Sequence, residues 1–449
     1  MLAFLMCVQN WSFAIPIAPI AQDTTILPSV IVQGYTIDQW YKLHPDLPAR
    51  PLGPRQSKSL LIPRASISEG VELLSQLQSM DIDAWMDRTV QHALYNSDDF
   101  NDPNLSGQWY VESLKMYTLW DHSLGHTNTR VAVIDSGIDI SHPDLSDKLI
   151  APYDAFDDDD DPSPNPGEFC WESAGSAICD EHGTAVAGIS LADANDVGIV
   201  GLCPDCSLIP IKMLGEGNAA LSYDIAAMEH AIANDAAVIN NSWGYVQPTE
   251  APEPLVNVIK RAQVETRNGK GAVVVFAAGN DNRELIDNEL CGISGVICVS
   301  AIDSYGRPTA YTNYGADVDI AAPSATVSIA PNESLTTNFG GTSAAAPVVS
   351  GIAGWVLSVE PDLTSAEVVD ILISTSEQSP LITPDENGHH DKYGYGIIHP
   401  RNMYETLYPP EIEEPAKGGC NTLAVVSPSV KFYPIMLGLL ALLGLVRRR

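Results

Sequence analysis

Basic residues are scarce in this chain: 23 Lys and Arg stand against 57 Asp and Glu over 449 residues, a formal net charge of -34. A surface this acidic repels phosphate backbones and excludes nucleic acid as a partner. It serves solubility or adaptation to salt, with recognition of a cationic partner as the alternative. Metal-binding patterns of the zinc type are also missing. Cys203-Pro204-Asp205-Cys206 has no second Cys-x-x-Cys and no histidine cluster to complete it, which leaves a disulfide or a redox pair. No internal repeat is evident, and the length suffices for one large domain with accessory segments.

The N-terminus lacks a basic n-region. Its short apolar run to Ala14, with Ser12-Phe13-Ala14 as a cleavage-type site, is read as part of a signal peptide over residues 1–21, a buried core helix being the alternative. Residues 22–98 mix Pro-rich turns with an amphipathic stretch at 68–80. At the other end, residues 409–419 form an acidic Pro-rich linker. Residues 420–449 hold an apolar stretch at 432–446, short for a spanning helix, and then Arg447, Arg448 and Arg449. With Gly418, Gly419 and Cys420 ahead of it, this tail resembles the tripartite sorting signals of bacterial surface proteins; a permanent membrane anchor is the alternative. The expected location is therefore the cell surface or medium, with membrane attachment through the C-terminus at least transiently.

Export suits the eight cysteines, since disulfides persist outside the cytosol. Six of them fall into close pairs: Cys170 with Cys179, Cys203 with Cys206, and Cys291 with Cys298. Short β-branched runs near residues 131–134, 208–213, 236–239, 272–278 and 295–300 read as strands. Residues 222–234, opened by a serine cap at Ser222, and residues 344–357 read as helices, with Pro347 in the first turn of the latter. Strands alternating with helices imply an α/β fold, a mostly parallel central sheet with helices on both faces.

Three segments carry the chemistry. Val131-Ala132-Val133-Ile134-Asp135-Ser136-Gly137 ends an apolar strand on a carboxylate, Glu181-His182-Gly183-Thr184 opens a small-residue stretch with an imidazole, and Gly340-Gly341-Thr342-Ser343 precedes an Ala-rich run. A serine hydroxyl is a weak nucleophile, so it needs an imidazole to take its proton and a carboxylate to orient that imidazole. Ser343 is assigned as nucleophile, His182 as general base and then acid, and Asp135 as the orienting carboxylate. The order Asp, His, Ser with a Gly-Thr-Ser nucleophile resembles the subtilisin-like serine proteases. Asp102 to Tyr110 and Ser242-Trp243-Gly244 resemble the kexin and furin branch, although the acidic cluster that follows Ser-Trp-Gly there is absent.

The resemblance spans about residues 100–400 and implies further roles. Residues 99–408 become the catalytic domain and 22–98 a propeptide that occupies the cleft, with an ordinary N-terminal domain as the plain alternative. Asn280, at the end of an apolar strand, takes the oxyanion-hole role. Ser242, Trp243, Gly244, Ala278 and Gly279 form the substrate pocket, to which Asp281, Glu284, Asp287 and Glu289 offer negative charge. Calcium is the implied structural cofactor. One site uses Asp102, Asp144, the Asn195 amide and the carbonyls of Asp193, Val197 and Ile199; a second uses Asp157, Asp160 and Asp161, against a plain solvated acidic loop. The expected activity is cleavage of protein or peptide substrates through an acyl-enzyme by a monomer. A catalytically silent binding protein on the same fold is the competing reading.

Overall fold

The computed structural model describes residues 100–167, 170–173, 176–179, 181–215 and 220–409, with four strands and positions 43, 73 and 77 of the N-terminal segment. The expected signal peptide, the linker beyond residue 409, the tail at 420–449, Cys7 and Cys420 lie outside the described residues.

Within the N-terminal segment, β1 (Ile26–Gln33), β2 (Arg50–Pro51), β3 (Ser59–Ile62) and β4 (Ala84–Arg88) form an antiparallel sheet of order β2-β3-β1-β4. Leu73 and Leu77, four residues apart in the amphipathic stretch, are buried helical positions, which is the spacing that places two side chains on one helix face.

The main sheet begins with β5 (Arg130–Asp135) and β6 (Tyr153–Asp154). A hairpin follows, β7 (Cys170–Ser173) and β8 (Ser176–Cys179), in which Cys170 lies directly opposite Cys179. The sheet then continues through β9 (Ser207–Lys212), β10 (Val238–Asn241), β11 (Val273–Ala277), β12 (Val296–Ile302) and β13 (Ile320–Pro323). Its seven strands take the order β13-β12-β11-β10-β5-β9-β6, and every adjacent pair is parallel. From β5 the chain goes to the edge strand β6, fills the place between them with β9, and crosses to β10 on the other side of β5. The carboxyl ends of β5 and β10 therefore flank the point where strand order reverses, and open α/β sheets leave a crevice there.

Strand side chains alternate between two separate cores, which is why the runs are apolar without interruption. Val131, Val133, Val273 and Val275 enter one core, while Ala132, Ile134, Val274 and Phe276 enter the other. The first core is closed by α1 (His182–Leu191) and α4 (Thr342–Val359), the second by α2 (Leu221–Ala233) and α3 (Glu253–Gly269). α4 is buried along nearly its whole length. Among the described residues it is the one helix long and apolar enough to cross a membrane, and here it is the core of the domain.

Two helix starts differ from expectation. Ser222 makes no cap: α2 begins at Leu221 after Ala220, whose extended backbone takes the cap position with no side-chain hydrogen bond. α4 begins at Thr342 rather than 344, so Pro347 lies beyond the first turn. The bridges Cys203–Cys206 and Cys291–Cys298 are formed.

Candidate active site

Three elements bring the expected catalytic residues to the carboxyl edge of the sheet. Asp135 is the last residue of β5 and fully buried, and its Oδ1 lies 2.6 Å from His182 Nδ1 at the first position of α1. The same oxygen accepts the Ser136 N–H at 2.7 Å, which fixes the carboxylate. The His182 ring stands edge-on to Phe339 at 5.4 Å, on the segment that leads into α4.

Ser343 is the second residue of α4. The first N–H groups of a helix have no intrahelical partner and carry its positive end, so the chain there is prepared for an anion. Pro347 adds a local effect. It has no N–H to offer the carbonyl four residues earlier, which is that of Ser343. The Ser242 hydroxyl takes that carbonyl at 3.0 Å, and the Ser343 hydroxyl donates to the Ser242 carbonyl at 3.2 Å. The end of β10 and the start of α4 are thereby stitched together.

Asn280 follows β11. Its Oδ1 accepts the Thr342 N–H at 2.8 Å and the Thr342 hydroxyl at 3.1 Å, while that hydroxyl accepts the Gly279 N–H at 3.0 Å. With its oxygen spent, Asn280 has its amide NH2 left, beside Gly341. Gly341 has φ of 75°, and a Cβ there would lie 3.1 Å from Asn280 Nδ2. Glycine satisfies both demands at once.

A cavity of about 280 Å3 opens beside Ser343, lined by all five expected pocket residues: Ser242, Trp243, Gly244, Ala278 and Gly279. Of the four carboxylates offered to it, Asp281 and Glu289 line it and Glu284 and Asp287 do not. Glu289 is buried and held by Arg283 through two parallel bonds of 2.7 and 3.0 Å. Arg283 was not anticipated, although it is the one basic residue among the acids of 281–289.

A sequence profile of the subtilase family matches residues 126–396. The chain belongs to the subtilase family. Among its relatives, the thermophilic serine proteinase of Bacillus sp. strain AK1 is 35% identical over 241 residues, covering 53% of this chain and 54% of that protein. The calcium-dependent protease of Trichormus variabilis is 31% identical over 339 residues, covering 66% of this chain and 48% of that one. The chain thus spans about half the length of these curated relatives. A solved protease structure from Pseudoalteromonas arctica PAMC 21717 matches with a TM-score of 0.57 at 27% identity, over 68% of this chain and 99% of that chain.

The two acidic regions of this subtilase differ. At the first, Asp144 is fully buried, with Oδ2 accepting the Ile199 N–H at 3.1 Å and Oδ1 making no hydrogen bond. Asp102 is also buried and accepts the Asn195 N–H at 3.2 Å. Burial, with the other carboxylate and Asp193 nearby, pushes Asp144 up to about 7; burial first, then Asp196 and Asp193, pushes Asp102 up to about 6. Gly198 has φ of 51°, and a Cβ there would meet Asp144 Oδ2. The Asp193 carboxylate turns away to Lys148 at 2.6 Å, so only its carbonyl is left for the expected role. Asn195 Oδ1 accepts the Val197 N–H at 3.0 Å. A buried carboxylate oxygen with no donor, beside a second buried carboxylate, suits a cation.

The second region is organised by a lysine. Lys212 is fully buried at the end of β9, 2.9 Å from Asp154 and 3.7 Å from Asp157, with the Phe156 ring 5.5 Å away. Asp159 and Asp161 accept backbone N–H groups of their own loop, from Asp161 and Ser163. Among the described residues no three Asp, Glu, His or Cys side chains are placed to share a metal. The expected set of Asp157, Asp160 and Asp161 is therefore not assembled; an ammonium group already supplies the counter-charge for Asp157.

Proposed function

We propose that this subtilase is an exported serine endopeptidase that cleaves peptide bonds through an acyl-enzyme. The observation that carries the reading is the 2.6 Å pairing of His182 with buried Asp135, set at the same sheet edge as a serine on a helix N-terminus. The Ser343 hydroxyl turns from the Ser242 carbonyl to the imidazole of His182, which takes its proton as the oxygen attacks the substrate carbonyl. Asp135 stabilises the resulting imidazolium. The oxyanion accepts from the Asn280 amide and the Ser343 N–H, both fixed before substrate arrives. His182 then protonates the leaving amine, and water, activated by the same imidazole, releases the acyl group.

The first acidic region supports calcium as a structural ion, held by Asp102, Asp144, the Asn195 amide and the carbonyls of Asp193, Val197 and Ile199. Bound there, it neutralises two carboxylates that burial otherwise disfavours. The four-stranded sheet of residues 26–88, which shares no strand with the main sheet, supports reading the N-terminal segment as a propeptide. Placement in the kexin and furin branch rests on the likeness of residues 102–110 and 242–244.

Ser343→Ala should abolish both peptide hydrolysis and labelling by a fluorophosphonate, with circular dichroism unchanged. Hydrolysis at the parent rate would remove Ser343 from the mechanism, and failure of the folded parent to label would favour a silent scaffold.

A further inference from the structure

The cavity beside Ser343 holds a charged pair that the catalytic steps do not use. Glu289 is buried, and both carboxylate oxygens are taken: Oε1 accepts from Arg283 and from the Ile286 N–H at 3.0 Å, and Oε2 accepts from Arg283. The pair is rigid at both ends. Glu289 starts the short helix Leu290–Gly292, whose Cys291 is bridged to Cys298 on β12, while the Arg283 carbonyl accepts the Tyr314 N–H at 3.0 Å. The other pocket carboxylate, Asp281, is 60% exposed and 3.8 Å from Arg283. Solvent screens a carboxylate at that position.

We propose that Arg283 is a specificity-determining residue, which by occupying Glu289 makes the pocket select an uncharged apolar side chain before the cleaved bond in place of a basic one. This rests on the endopeptidase reading above. A lysine or arginine side chain entering the pocket meets a guanidinium where a free carboxylate would have received it. For its lost hydration it gains only Asp281, which solvent screens. An acidic side chain meets a guanidinium already neutralised and two carboxylates. The walls offered by Trp243, Ala278, Leu285 and Leu290 reward apolar contact instead. Removing one member of the pair leaves the other as an unpaired charge, and it should then attract the opposite charge from the substrate.

The test is a peptide library varied at the position before the cleaved bond, read with the full chain and three variants. The parent should prefer Leu, Met or Phe over Lys or Arg by about tenfold or more in kcat/KM. Arg283→Met should raise Lys and Arg relative to Leu by about tenfold, and Glu289→Gln should raise Glu and Asp relative to Leu by a similar factor. The double variant should do neither. A parent that prefers Lys or Arg, or two single variants with the parent profile, overturns the proposal. If Arg283→Met does not fold, Glu289→Gln alone decides by its gain, or lack of gain, for acidic residues. A parent that cleaves no member overturns the endopeptidase reading itself, whereas cleavage with an unaltered profile overturns only the role of Arg283.

Discussion

Asn280 divides its side chain between two duties. The oxygen ties Thr342 in place, and in the proposed mechanism the nitrogen donates to the substrate oxyanion. Asn280→Ala should lower kcat by about 10²- to 10³-fold with KM little changed, because the lost bond strengthens as the transition state forms. Steady-state kinetics on a good substrate checks this, and an unchanged kcat would exclude the amide as a donor. Asp135, His182, Asn280 and Ser343 stand in the sequence at the ends or starts of apolar runs, and the roles expected of them come from the resemblance to subtilisin-like proteases. The exchange of hydroxyls and carbonyls between Ser242 and Ser343 was not legible there. It depends on where α4 begins, and Pro347 looks like an ordinary first-turn proline until that start is known.

Among the elements, the two carboxylates that accept from the loop between α1 and β9 carry the clearest pH dependence. In the folded, metal-free protein Asp144 is raised to about 7 and Asp102 to about 6, from an ordinary 3.8. Through that interval the folded state holds protons that the unfolded state has released. Stability in chelator should therefore fall as pH rises from about 4 to about 7, and be lowest once both carboxylates are ionised. Calcium should reverse the trend, since it binds the ionised form of the folded state. Asp144→Asn should flatten the fall in chelator and shrink the gain from calcium. Melting temperatures across that range, with and without chelator, test both statements; equal calcium shifts in parent and variant would place the ion elsewhere. The second acidic loop shows the limit of such reading. Sequence displays its run of aspartates but not the ammonium of Lys212, which β9 delivers from much farther along the chain.

For the molecule as a whole, the α/β fold was legible because two-sided burial demands unbroken apolar strands, and those runs mark β5, β9, β10, β11 and β12 within a residue or two. β6 has two residues, too few for a pattern, and β13, Ile-Ala-Ala-Pro, has a single β-branched residue. The same burial links activity to integrity. α4 lies in the core against β10, β11, β12 and β13 and also carries Ser343, the proposed nucleophile, at its second position. Loss of activity in denaturant should therefore coincide with loss of circular dichroism, with no inactive folded species between them; separated transitions would show that the site can come apart alone.

That coupling gives heated samples an order of events. On the proposed endopeptidase reading, each molecule is either an intact enzyme or an unfolded chain, and an unfolded chain is digestible by every intact neighbour. Inactivation should thus become faster as protein concentration rises, and it should be permanent, because autolysis removes unfolded chains before they can return.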